Sequence, residues 1–195
     1  MQKDILLKNF DNYYEGLKKT VGEKFAEKII EDLGGEEKVM SAPFFNLEES
    51  GVAYEGAWAK NVIRLVKIAY NINDSLPEDV RVDEREINKV CLLSHIAKVV
   101  LYEKNDNNWE VTNRGMNYKF NNTLQGALRV GERSILIAMN VGVKFSELEF
   151  EAMRIMDKDT NDDYYSRYYS SPLSLVIRQA NEILDYINRT RKKNG

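Results

Sequence analysis

The chain has little of what metal and disulfide chemistry need: one histidine and one cysteine in 195 residues. A single histidine excludes a centre built from several imidazoles of one chain. A single cysteine excludes an internal disulfide. Cys91 lies among Val90, Leu92 and Leu93, so it reads as a small core residue in a reducing, intracellular setting. No apolar run approaches the roughly 20 residues that span a bilayer, and the opening "MQKDILLKNF" has no apolar signal region. The expectation is a cytoplasmic protein with no membrane association. Twenty-eight basic residues against 31 acidic ones give a net charge of −3, which leaves no basic footprint for general nucleic-acid binding. The one cationic run, "RTRKK" at 189–193, reads as a solvating tail.

What is present is ordinary for a globular protein: 43% hydrophobic and 30% charged residues, with no internal repeat. The length fits one domain with a substantial core. It divides into an N-terminal helical segment (1–39), a core (40–190) and a tail (191–195). Two amphipathic segments come first, over about 2–18 and 20–33. Val21, Phe25, Ile29 and Leu33 recur every four residues in the second, and Gly34-Gly35 end it. A loop through "SAPFFNLEESG" follows. A helix over about 53–73 carries Trp58, Ile63, Val66 and Tyr70 toward one side. Another over 84–103 has Ile87, Cys91, Leu92, Ile96 and Val99 on a wide apolar face, the mark of a central helix.

The period then changes. "WEVT" and "MNYKF" alternate around "NRG", which predicts a short hairpin. Helices are expected at about 123–141, from Ser146, where Ser146 and Glu149 have capping-box spacing, and at 172–190. Ser171-Pro172 opens the last with a serine cap and proline at the first helical position. The predicted fold class is all-α, a mostly helical bundle with one short β-hairpin.

Five segments in order, "AYEGAWAKNVIRL" (53–65), "CLLSHIAK" (91–98), "RVGERSI" (129–135), "EAMRIM" (151–156) and "SPLSLVIRQAN" (171–181), resemble HD-domain metal-dependent phosphohydrolases. The resemblance is closest to compact single-domain members from bacteria and phages, and covers roughly residues 40–190. It implies an HD-like helical bundle in which Tyr54, Gly56, Leu92, Leu93, Gly131 and Pro172 belong to the scaffold. It also implies that the family's ligand positions fall on Asn61, Ser94, His95, Val130, Met156 and Asn181. Lys98, Glu132 and Ser134 match the family's motifs as well.

A hydrolase of this kind needs imidazole and carboxylate ligands converging on divalent ions, which acidify a bound water and polarise a phosphoryl oxygen. Val130 and Met156 supply no hard donor, and Asn61, Ser94 and Asn181 offer only weak neutral oxygens. The expectation is therefore a pseudoenzyme with no metal and no cofactor. His95 has two readings: a pH switch or surviving ligand, or a pocket histidine bonded to Ser94, Asn181 or a backbone group. Lys98 and Arg133 are candidate contacts for an anion, against the alternative that both are solvated helix-surface charges.

Two further segments carry readings. In "DKDTNDD" (157–163), Asp157, Asp159 and Asn161 have the first spacings of a calcium loop. Asp162 replaces the glycine of the sharp turn and Tyr168 the closing glutamate, so a solvated loop is expected. Tyr164, Tyr165, Tyr168 and Tyr169 surround Arg167, a composition that suits a protein interface or packing over the domain's own core. Phe10, Tyr13 and Tyr14 form a second interface candidate.

The leading expectation is a non-catalytic HD-like domain serving as a structural or protein-interaction component, through self-assembly or a protein partner. By analogy with the relatives it resembles, it would be a phage protein built into a virion or acting in the host cytoplasm. The alternatives are a nucleotide or phosphate sensor that binds without hydrolysis, with Lys98, Arg133 and His95 at the anion, and a phosphohydrolase with altered ligands.

Overall fold

Phe10, Tyr13 and Leu17 recur at helical spacing, and in the computed structural model they are the buried stripe of the first helix, α1 (Gln2–Val21). Residues 2–47, 50–124, 126–156 and 171–191 are described. Helices α2 (Glu23–Asp32), α3 (Glu36–Ser41), α4 (Ala57–Asp74), α5 (Glu84–Ser94) and α6 (Ala97–Leu101) follow. Strand β1 (Tyr102–Lys104), helix α7 (Asn108–Arg114) and strand β2 (Tyr118–Phe120) come next, then α8 (Val130–Asn140), α9 (Glu147–Ile155) and α10 (Pro172–Arg191). The fold is mostly helical, with one two-stranded antiparallel hairpin pairing Tyr102 with Phe120.

Helix α5 is central, packed by α1, α4, α8, α9 and α10. Its predicted apolar residues Ile87, Cys91 and Leu92 are all buried, as are Ile96 and Val99 beyond its end. Cys91 is a free core thiol, and burial pushes its pKa up. Helix α1 is built into this core. Tyr13 is fully buried, its ring meets Trp58 edge-on at 4.6 Å, and its hydroxyl donates to the Leu92 carbonyl at 3.3 Å. Phe10 is buried too, so these two aromatics are core residues rather than an interface; Tyr14 is half-buried.

Several ends follow from local chemistry. The Gly34 and Gly35 N–H groups donate to the Glu31 and Ile30 carbonyls (2.9 and 2.8 Å) with φ of 101° and 91°, a glycine C-cap. Ser146 and Glu149 form the expected reciprocal capping box. The Ser171 hydroxyl accepts from the Ser174 N–H at the start of α10.

Four predicted elements differ. The buried stripe of α4 is Trp58, Val62, Leu65 and Ala69, whereas Ile63, Val66 and Tyr70 are half-buried against the core. The helix expected over 84–103 stops at Ser94, restarts at Ala97, and gives way to a strand at Tyr102. "WEVT" is helical, because Asn107 caps the N–H groups of Trp109 and Glu110. "NRG" is that helix's end, with Gly115 at φ 63°, and the hairpin uses the earlier residues 102–104 instead. The helix expected from 123 begins at Val130. Before it, Asn121 bonds the backbone and hydroxyl of Thr123 in a turn, and Glu132 reaches back to the Arg129 N–H at 3.1 Å.

Candidate functional site

The site begins where the central helix breaks. Continuing α5 would commit the His95 carbonyl and the Ala97 N–H to helical partners. Instead the His95 carbonyl accepts the Trp58 indole N–H at 2.7 Å, and the Ala97 N–H donates to the Ser134 hydroxyl at 3.1 Å. The chain tightens through Lys98 N–H to His95 carbonyl and Val99 N–H to Ile96 carbonyl bonds (3.0 and 3.1 Å) before α6 resumes. Side chains of α4 and α8 thus hold His95 at a bend between two helices.

His95 is 2% exposed. Its Nε2 lies 3.0 Å from Asn181 Oδ1, while Asn181 Nδ2 donates to the Met156 carbonyl at 3.3 Å. With the amide nitrogen committed to a carbonyl, the amide oxygen faces the ring. The hydrogen-bond pattern therefore assigns the imidazole proton to Nε2. Nδ1 is an acceptor, buried and without a partner among the described residues. Burial, followed by the charge of Lys98, holds His95 well below the usual histidine range against the opposing Asn181 bond. Of the partners expected for His95, Asn181 is the one it meets.

His95, Val130 and Asn181 line a cavity of about 480 Å³. Phe44, Phe45, Val52 and Tyr102 give it apolar walls, with the Phe44 ring edge-on to His95 at 5.0 Å. Burial raises the Tyr102 hydroxyl to about 12. Lys98, Asp185, Asn188 and Arg189 supply its charged and polar lining. Lys98 is 8% exposed, and its Nζ stands 3.7 Å from the centre of the Phe44 ring. Burial raises the Asp185 carboxyl above its ordinary range; Lys98 and Arg189 pull it back and Glu182 pushes it up. Asn188 Oδ1 accepts from Arg64 at 3.3 Å, which leaves Asn188 Nδ2 as a buried donor without a partner among the described residues.

The six inferred ligand positions separate into two groups. His95, Val130 and Asn181 border the cavity, whereas Asn61, Ser94 and Met156 do not. Asn61 turns its Nδ2 to the Ala57 carbonyl (2.7 Å) and Ser94 its hydroxyl to the Cys91 carbonyl (3.1 Å), both within their own helices. Met156 contributes only its backbone carbonyl to the Asn181 amide. Among the described residues, no three of His, Cys, Asp and Glu converge as metal ligands would. The lone Asn61 oxygen and the single imidazole do not make a donor set for a hard divalent ion, so these residues do not fit the metal that the resemblance implies.

The cation pair expected at an anion is placed differently. Neither Lys98 nor Arg133 is a solvated surface charge, since both are buried. Arg133 donates to the Gly126 carbonyl at 3.1 Å and does not line the cavity; Arg189 is the cavity's second cation. Asp185, Asn188 and Arg189 were missed in the sequence. They follow Asn181 at i+4, i+7 and i+8, so helical spacing from Asn181 was the signal that could have found them. The acidic loop 157–163 and the segment holding Tyr164, Tyr165, Arg167, Tyr168 and Tyr169 lie outside the described residues. No helix among the described residues is long and apolar enough to cross a membrane.

No family model matches the chain, and searches of curated proteins and of solved structures give no significant match.

Proposed function

We propose that the protein is a non-catalytic domain of HD-like architecture that binds a small phosphate-bearing ligand, nucleotides included, without hydrolysing it. The observation that carries this reading is a cavity of about 480 Å³ whose lining brings the cations Lys98 and Arg189 together between aromatic walls. Cations beside low-dielectric walls attract an anion more strongly than cations in open water do. The volume falls within the roughly 300–1,000 Å³ range of small-molecule sites, and the aromatic walls suit an organic body attached to the anion. The HD-like assignment draws on the five ordered motifs. It draws also on the joining of His95, Met156 and Asn181 in one hydrogen-bonded chain beside Val130. The lack of catalysis draws on the donor set at those positions. Titration calorimetry with inorganic phosphate and nucleoside mono- and diphosphates tests the reading. Binding should be measurable for the wild type and at least tenfold weaker for Lys98→Met. No heat from any of these at millimolar concentration would sink it.

A second reading, a structural or interaction component of an assembly such as a virion, is favoured by exposed apolar pairs one helical turn apart. These are Leu136 with Met139 on α8 and Ile183 with Tyr186 on α10. A monomeric mass by light scattering, both for the purified protein and for material isolated from its native lysate, would count against it.

A further inference from the structure

The net charge of −3 conceals a local cluster of one sign. Helix α4 carries Lys60, Arg64 and Lys67, and its one acidic residue, Asp74, is its last. The three cations recur at i, i+4 and i+7, which places them in one stripe. Lys60 and Lys67 are exposed. Among the described residues no carboxylate, Glu55 included, lies within ion-pair distance of either. Like charges one turn apart repel, so the stripe is a cost to the isolated helix.

Packing adds to it. Trp58, in the first turn of α4, bonds the His95 carbonyl, and His95 meets Asn181 on α10. Further along both helices, Arg64 Nη1 donates to Asn188 Oδ1 at 3.3 Å. Helices α4 and α10 therefore run in the same direction, and equal steps onward bring the end of α10, at Arg191, level with Lys67. The chain's one cationic run, 189–193, starts on that last turn, and Lys192 and Lys193 follow it in sequence. Two basic segments far apart in the chain are thus brought together.

We infer that this stripe of α4 is a docking surface for single-stranded nucleic acid, bound through its phosphates without regard to base sequence. Cations in a row, beside a second cationic segment, complement a phosphate backbone. Next to them stands Tyr54, 42% exposed with its ring 5.7 Å from Lys60 Nζ, an aromatic face on which a base can stack. Cations with a stacking platform are the combination that holds single strands, whose unpaired bases are free to stack. A lipid surface fits less well. The apolar flank of the stripe, Ile63, Val66 and Tyr70, packs against the core and has nothing to insert. The surface is separate from the cavity, which no residue of α4 lines.

Fluorescence anisotropy with a labelled oligothymidylate, at about 50 and about 200 mM salt, tests this. The wild type should bind it, and the rise in salt should weaken binding roughly twentyfold, as about three phosphate contacts predict. Lys60→Gln together with Lys67→Gln removes two of those contacts, so the logarithmic salt slope should shrink by about 1.4. The urea midpoint of that variant should match the wild type. A duplex of the same length should bind more weakly, since its paired bases cannot reach Tyr54. No binding at roughly 100 µM protein in the lower salt, the weak end of non-specific affinities, overturns the inference. An unchanged slope in the double variant, or equal affinity for the duplex, overturns it as well. So does tighter binding of a polyglutamate peptide or of phosphatidylserine vesicles, either of which would assign the stripe to another class of partner. The comparison among probes needs only the wild type, so a folding defect in the variant does not block the test.

Discussion

The two halves of the inferred ligand set have met opposite fates. On the Asn61 and Ser94 side, the Asn61 Nδ2 and the Ser94 hydroxyl bond carbonyls of their own helices and the surroundings are sealed, with the Asn61 Oδ1 buried and without a partner among the described residues. On the His95 and Asn181 side, a hydrogen-bonded pair faces open volume, with further polar and charged groups from one face of α10 around it. A polar residue that bonds its own helix turn makes few demands on its neighbours, so apolar packing can close over it. A ring and an amide that bond each other across two helices hold those helices apart at a set distance, and volume persists beside them. The difference accounts for a cavity beside His95 and Asn181 where none lies beside Asn61 and Ser94.

The largest expected effect lies where α8 meets α9, next to the cavity-lining Val130. A Cβ at Gly131 would stand 2.0 Å from the Met153 carbonyl, so α8 meets α9 with no room for a side chain. Gly131→Ala should cost on the order of 3 kcal/mol in urea denaturation. A loss below about 1 kcal/mol would mean that the two helices separate easily.

The next effect joins the two halves. Asn181→Leu strands the His95 Nε2–H and the Met156 carbonyl, and should destabilise by about 1–3 kcal/mol. Adding His95→Phe should recover part of that loss in a double-mutant cycle, whereas simple additivity would mean that the bond is not formed in solution. His95 also predicts a pH dependence. Its folded pKa is lowered, so an unfolded chain takes up a proton that the folded chain refuses. Stability should therefore fall as pH drops below about 6.5, the ordinary histidine value. His95→Phe should flatten that part of the profile.

The smallest effect concerns the open half alone. The Asp185 carboxyl is raised in the folded state, so the fold favours its protonated form. The stability this gives is present below the ordinary aspartate value of about 3.9 and is lost as pH rises through the raised folded value. Asp185→Asn should thus stabilise the ligand-free protein at neutral pH by under about 1 kcal/mol, since the side chain is only half-buried. That gain should vanish below about pH 4. Destabilisation at neutral pH would instead mark Asp185 as a structural partner of Lys98 or Arg189.

The identity of the cavity was half legible in the sequence. His95 with Asn181 could be named because both fall on ordered motifs. Lys98 was visible as a cation but not as a buried one, because lysine on a helix gives no local sign of which way it faces. Arg133 and Arg189 exchanged roles for the same reason. The hairpin was expected from alternation in "WEVT", where four residues fit a strand and a short helix equally well, and the cap at Asn107 decided the matter.

Local pattern was enough for the helical class, the capping box at Ser146, the serine and proline that open α10, the glycine stop after α2 and the core position of Cys91. Each depends on residues within a turn or two of one another, or on a periodicity that one segment carries alone. The bend at His95 lay beyond that reach. The atoms that impose it, Trp58 Nε1 and Ser134 Oγ, each bond a backbone group 37 residues away along the chain. Neither segment records the other's position, so the bend, the buried Nδ1 lone pair and the cavity that His95 lines exist only once α4, α5, α8 and α10 are packed together.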